Sequence, residues 1–134
     1  MGDDLPGRAI PATRHLADVD SVRQFARAIA IDLLPYDVFI TPTLTQKPRP
    51  LGYYDMSETD LDRFNALWSD AAVMFPFSAS GQPAISLPLH WSPEGDQIGV
   101  QLVGRFGDEA TLLSVSSVLE SEMPWRDRKP PICA

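Results

Sequence analysis

The residues able to do chemistry in this sequence are few and scattered. Ser78 and Ser80 stand beside a glycine in Phe77-Ser78-Ala79-Ser80-Gly81, a spacing that invites comparison with a nucleophile elbow. That elbow opens on glycine where this chain has Phe77, and a serine attacks only when a positioned base takes its proton. Nothing near these serines in the sequence supplies one, so their hydroxyls are expected to close a tight turn by bonding backbone. His15 and His90 are far apart and Cys133 lies in the tail, so no pair has the short spacing of a zinc site. Asp55, Glu58, Asp60 and Asp62 form an acidic cluster without the glycine of a calcium loop. They read as the solvated start of a helix, where negative charge complements the dipole. These residues predict no catalytic centre, no metal site and no cofactor.

The elements that would position any site follow from periodicity. Val22, Phe25, Ala26, Ile29 and Leu33 recur at helical spacing, which predicts a helix capped by Asp20 or Ser21. Leu34-Pro35 ends it, because the residue before proline is pushed out of the α region. Residues 1–19 show no clean period and read as an N-terminal arm. Tyr36 to Thr41 predicts a short strand whose consecutive Val38, Phe39 and Ile40 imply burial on both faces, as in a central parallel strand. Pro42 to Met56 is a proline-stiffened loop carrying Tyr53 and Tyr54. Ser57 then opens a helix with Leu61, Phe64, Trp68, Ala71 and Phe75 as its buried stripe, and Pro76 stops it.

A hairpin comes next. Ala84 to Trp91 alternates apolar with smaller or polar residues, Ser92 to Asp96 is a Pro/Gly turn, and Ile98 to Val103 returns. Pro88 lacks a ladder donor, so it belongs at an edge, a bulge or a strand end. Asp108 is placed as the N-cap of a last helix reaching about Glu122, with Leu112, Val115 and Leu119 inward. Residues 126–134 form a proline- and charge-rich tail after Trp125, its expected anchor. The class is α/β, a mixed sheet of about three strands flanked by helices, with residues 20–125 as one domain.

Composition narrows the function classes. The 134 residues are 44% apolar and 22% charged, as in an ordinary globular domain. A net charge of −7 argues against nucleic acid or an anionic membrane surface as partner. No apolar run approaches the roughly 20 residues of a membrane span. The start of the chain shows no apolar signal segment, and a single cysteine excludes an internal disulfide framework. A cytoplasmic setting is the expectation.

The wording of several blocks is more specific than their physics. Gly81-Gln82-Pro83-Ala84-Ile85-Ser86-Leu87-Pro88, then Ile98-Gly99-Val100-Gln101-Leu102-Val103-Gly104-Arg105, then Asp108-Glu109-Ala110-Thr111-Leu112-Leu113, resemble the C-terminal end of the amidase signature family. Tyr36-Asp37-Val38-Phe39-Ile40-Thr41-Pro42-Thr43 resembles an upstream block of that family. The resemblance implies hydrolysis of amide bonds by a serine nucleophile, a second serine in a cis peptide and a lysine, held in a Gly/Ser-rich core. This chain has no Gly-Gly-Ser-Ser run, and its lysines, Lys47 and Lys129, stand in no such context. It therefore resembles the last third of an amidase without the catalytic centre.

As residues, Met74 and Phe75 read as core packing. The resemblance implies instead that Asp70, Met74, Phe75 and Phe77 form part of a substrate-pocket wall. In the glutaminyl-tRNA amidotransferase branch an acidic residue near here holds the substrate's amino group. Asp70 is one position off, Ala71 takes the matching place, and Ser78 stands where many members have asparagine. Two functions follow. One is the C-terminal part of an amidase, silent alone, whose complete form takes a small-molecule amide. The other is a non-catalytic binding or self-association module derived from an amidase. Both expect the incomplete sheet to be covered, by the missing N-terminal region or by self-association.

Overall fold

The computed structural model describes residues 9–54 and 56–128; Met1 to Arg8, Asp55, Lys129 to Ala134 and the side chain of Asp70 lie outside the described residues. Helix α1 spans Ala12–Asp32, β1 Val38–Pro42 and α2 Leu61–Leu67; a 3₁₀ segment, Trp68–Met74, leads into α3, Phe75–Ser80. Strands β2, Ala84–Trp91, and β3, Gln97–Gly104, form the hairpin, and α4 is Glu109–Glu122.

The sheet is ordered β1-β3-β2 and both pairings are antiparallel. The expected mixed sheet with a central parallel β1 is therefore corrected: among the described residues β1 is an edge strand joined only to β3, and antiparallel to it. A run of apolar residues reports what touches the two faces, not the direction of the neighbour. Val38 does pack towards one face of the sheet and Phe39 towards the other, but Ile40 is 64% exposed. Pro88 falls within the register shift between Leu87 and His90, on the other edge strand, as its missing N–H requires.

Helices cover the two faces. Val103 of β3 packs with Leu33 and Phe77 under α1 and α3. The next residue, Leu102, points the other way and packs with Leu87 and Leu112 under α4. Trp125 joins that second cluster, as expected of the tail's anchor. Asp108 caps α4, its Oδ1 accepting from the Thr111 N–H (3.3 Å) and hydroxyl (2.7 Å). Arg105 donates to Asp37 at 3.1 Å and Asp108 at 3.4 Å, tying the start of β1 to the cap of α4.

Two helix boundaries differ from expectation. The first helix begins at Ala12, with Pro11 before it, and runs through the region read as an arm. Asp20 and Ser21 are interior: Asp20 pairs with Arg23, and Ser21 donates to the Ala17 carbonyl. The second helix is broken in three. Asp60, not Ser57, is the cap, its carboxylate accepting from the N–H groups of Asp62 and Arg63. Its stripe is not buried: Leu61, Trp68 and Phe75 are all exposed. Pro76 does not stop a helix but sits in the first turn of α3, where a missing N–H costs nothing. Gly81, at φ 72°, closes α3 in the left-handed region that glycine enters freely.

Candidate functional site

On the α1 and α3 side of the sheet the described residues leave a cleft of about 580 Å³. Phe25, Ile29 and Leu33 come to it from α1 and the turn after it, one helical turn apart. Tyr36 and Phe39 come from the approach to β1 and from β1 itself, and Pro76 and Phe77 from α3. The Phe39 and Phe77 rings are 6.0 Å apart and tilted at 52°, an arrangement that aromatic quadrupoles favour. Asp32 gives the rim its one carboxylate.

The same sheet face continues as a polar row. Gln101, buried in β3, donates to the Thr41 hydroxyl of β1 at 3.1 Å. One step on, the Thr43 and Ser86 hydroxyls meet at 2.6 Å across the central strand. They do so over Gly99, where a methyl would lie 2.7 Å from Thr43 Oγ1 and 3.0 Å from Ser86 Oγ. Glycine is required there by space rather than by backbone conformation.

The predicted wall residues are distributed unevenly. Phe77 is buried at 8% exposure and contributes both to the core and to the cleft. Met74, half-buried, ends the 3₁₀ segment, and Phe75 is 62% exposed. Asp70 lies in the 3₁₀ segment, its side chain outside the described residues. Sequence reasoning missed the cleft contributions of Phe25, Ile29, Tyr36 and Phe39. The stripe on α1 was visible but was read as a packing face.

Among the described residues the geometry offers no activated serine. The Ser80 hydroxyl lies 2.8 Å from Gln82 Oε1 and 3.2 Å from the Phe77 carbonyl, so it is held by α3's own C-terminal turn. Among the described residues no hydrogen bond joins Ser78 or Ser80 to a histidine or a carboxylate. No group of three His, Cys, Asp or Glu among them is placed to hold a metal. No helix among them is long and apolar enough to cross a membrane. Chemically, the arrangement can bind an apolar group beside a few hydroxyls and an amide.

Comparison with known proteins decides the family. The family model described as Amidase matches residues 10–113. The chain belongs to the amidase signature family. An amidase relative, the 6-aminohexanoate-cyclic-dimer hydrolase of Pseudomonas sp. (strain NK87), is 38% identical over 135 residues, 96% of this chain but 26% of that protein. The putative amidase AmiC of Mycobacterium leprae (strain TN) is 33% identical over 105 residues, covering 78% of this chain and 22% of that amidase. A solved 6-aminohexanoate cyclic dimer hydrolase in complex with substrate superposes with a TM-score of 0.84 at 34% identity, over 92% of this chain and 27% of that one. The chain thus spans about a quarter of the length of the amidases it matches.

Proposed function

We propose that this chain is the C-terminal part of an amidase that hydrolyses carbon–nitrogen amide bonds, and that it is inactive alone. The serine, cis-peptide serine and lysine that the family resemblance implies lie outside these residues in this reading. One observation carries it: 96% of the chain aligns at 38% identity, yet it accounts for only 26% of the relative. A serine hydrolase needs its nucleophile and base within hydrogen-bond reach, and no serine lines the cleft described above.

In the complete enzyme, Asp70, Met74, Phe75 and Phe77 would contribute to the wall of the substrate pocket. Phe77 supports this by lining the cleft. A substrate like the cyclic dimer of 6-aminohexanoate, with aliphatic stretches between amides, suits apolar walls beside a polar row. A cytoplasmic setting fits the single cysteine.

The test is an amide-hydrolysis assay on the purified chain, using 6-aminohexanoate cyclic dimer and simple aliphatic amides. No turnover is expected. Turnover abolished by a serine-directed reagent would place catalysis within these residues and overturn the reading. The alternative, a non-catalytic binding or self-association module, draws support from the exposed Phe39 and Ile40 on β1. Both readings expect the chain alone to self-associate; what tells them apart is the gene context, where an open reading frame directly upstream carrying the lysine and the Gly-Gly-Ser-Ser run favours the amidase reading.

A further inference from the structure

A second cavity, of about 490 Å³, opens where the end of β2 meets the chain leaving α4. Leu89, His90 and Trp91 come to it from β2. Consecutive strand residues ordinarily face opposite ways. These three share one cavity just past the register shift between Leu87 and His90, and such irregularities re-aim side chains. Met123, Pro124 and Arg128 come from the segment after α4. Arg128 is placed by a local turn: Trp125 is anchored in the core cluster under α4, and the Arg128 N–H donates to its carbonyl at 3.0 Å. The guanidinium thereby lies over the Trp91 ring, 4.1 Å from its centroid.

Charge at this cavity runs against the rest of the molecule. The chain has 18 acidic against 11 basic residues, yet among the described residues no carboxylate lines the cavity. Asp127 lines a separate hollow with Arg126. Ser92, also in the wall, has its hydroxyl engaged with the Asp96 N–H and with Glu94, and Glu94 is itself paired with Lys47 at 2.8 Å. Arg128 makes no ion pair among the described residues. A guanidinium stacked on an aromatic ring keeps its N–H groups free in its own plane, where they match a carboxylate in two parallel bonds. The stacking also holds that fork in place before a ligand arrives. His90 adds a ring N–H donor in either protonation state.

We infer that this cavity is a binding site for a small monocarboxylate with an apolar body. Arg128 takes the carboxylate with His90 beside it, and Leu89, Met123 and Pro124 take the body. Inorganic phosphate would satisfy Arg128 but leave those apolar walls unused. Amide hydrolysis releases acids of this class, so on the amidase reading the ligand is a product; the binding itself stands without that reading.

The test titrates the purified chain with hexanoate, hexanamide and inorganic phosphate, followed by NMR of the imidazole and indole resonances. Hexanoate is expected to give saturable shifts at His90 and Trp91. Hexanamide, alike in shape but uncharged, should bind roughly tenfold more weakly. Arg128→Gln should cost hexanoate the same roughly tenfold, and Arg128→Lys most of it, because a point charge does not reproduce the fork. Arg14→Gln, which removes one positive charge from α1 on the other side of the sheet, should leave binding unchanged. Arg128 is exposed, and circular dichroism checks that its variants fold; the comparison of ligands on the unchanged chain needs no variant. Absence of saturable shifts overturns the inference. So does hexanamide or phosphate binding as tightly as hexanoate, or an equal loss in Arg14→Gln and Arg128→Gln.

Discussion

Two positions carry sharp expectations at the scale of single residues. The Asp108 carboxyl is held below its ordinary value, chiefly by the Thr111 hydroxyl, with Arg105 adding to the effect. A carboxylate depressed in the folded state stabilises it above the unfolded value, and that stability is lost as pH falls through the folded one. The Tm should therefore drop as pH falls below about 4, the ordinary aspartate range. Asp108→Asn should flatten part of that drop; an unchanged pH profile would show that the cap contributes nothing to acid sensitivity. Glu94, depressed mainly by its bond to Lys47, accounts for a further part. At Gly99, alanine would push apart the Thr43 and Ser86 hydroxyls above the central strand. The expected cost is about 1–3 kcal/mol, as for other overpacked sites, and a urea midpoint that did not move would contradict it.

Among the elements, the long loop after β1 is tied down at two places. Lys47 reaches Glu94 in the hairpin turn at 2.8 Å. Further along, Tyr54 stacks on Trp68 at 4.8 Å and meets Tyr53 edge-on at 5.1 Å, with the Arg49 guanidinium over Tyr53 at 4.8 Å. The loop thereby braces the 3₁₀ segment that carries Asp70 and Met74. A double-mutant cycle on Tyr54→Ala and Trp68→Ala should give a coupling of roughly 0.5–1.5 kcal/mol. Zero coupling would mean the rings merely lie together.

What was legible at this scale follows from where each signal resides. The hairpin, the Asp108 cap and the placement of Pro88 are local, set by residues a few positions apart, and the structure agrees with all three. The start of α1 was missed because Ala12 to Val19 lacks an apolar stripe. Its helical signal is the Arg14–Asp18 pair at i,i+4, bonded at 3.0 Å, which is weak in sequence. The break in the second helix was missed because a stripe at spacings of 3 and 4 looks the same whether the backbone is α or 3₁₀. The direction of β1 was out of reach, since its partner lies some sixty positions away. The cleft was out of reach for the same reason: it is made where α1, β1 and α3 meet.

For the whole molecule, one fact recurs in different forms. The chain covers both faces of its sheet with helices, yet among the described residues each outer strand keeps one unpaired edge and several large apolar side chains stand exposed. These features agree with a chain that matches about a quarter of its relatives' length, and they make the silent assay the expected outcome.

The strand order has one more consequence, for the time course of folding. The middle strand, β3, is the last of the three to leave the ribosome, and both β1 and β2 hydrogen-bond to it and not to each other. Until Gln97 emerges neither earlier strand has a partner, and β1 meets its first, Val100, only later, so it waits as an unpaired apolar segment while some sixty residues are added. Contacts this distant in sequence slow folding and lengthen exposure to aggregation. A nascent chain halted just before Gln97 should hold α1 but no sheet.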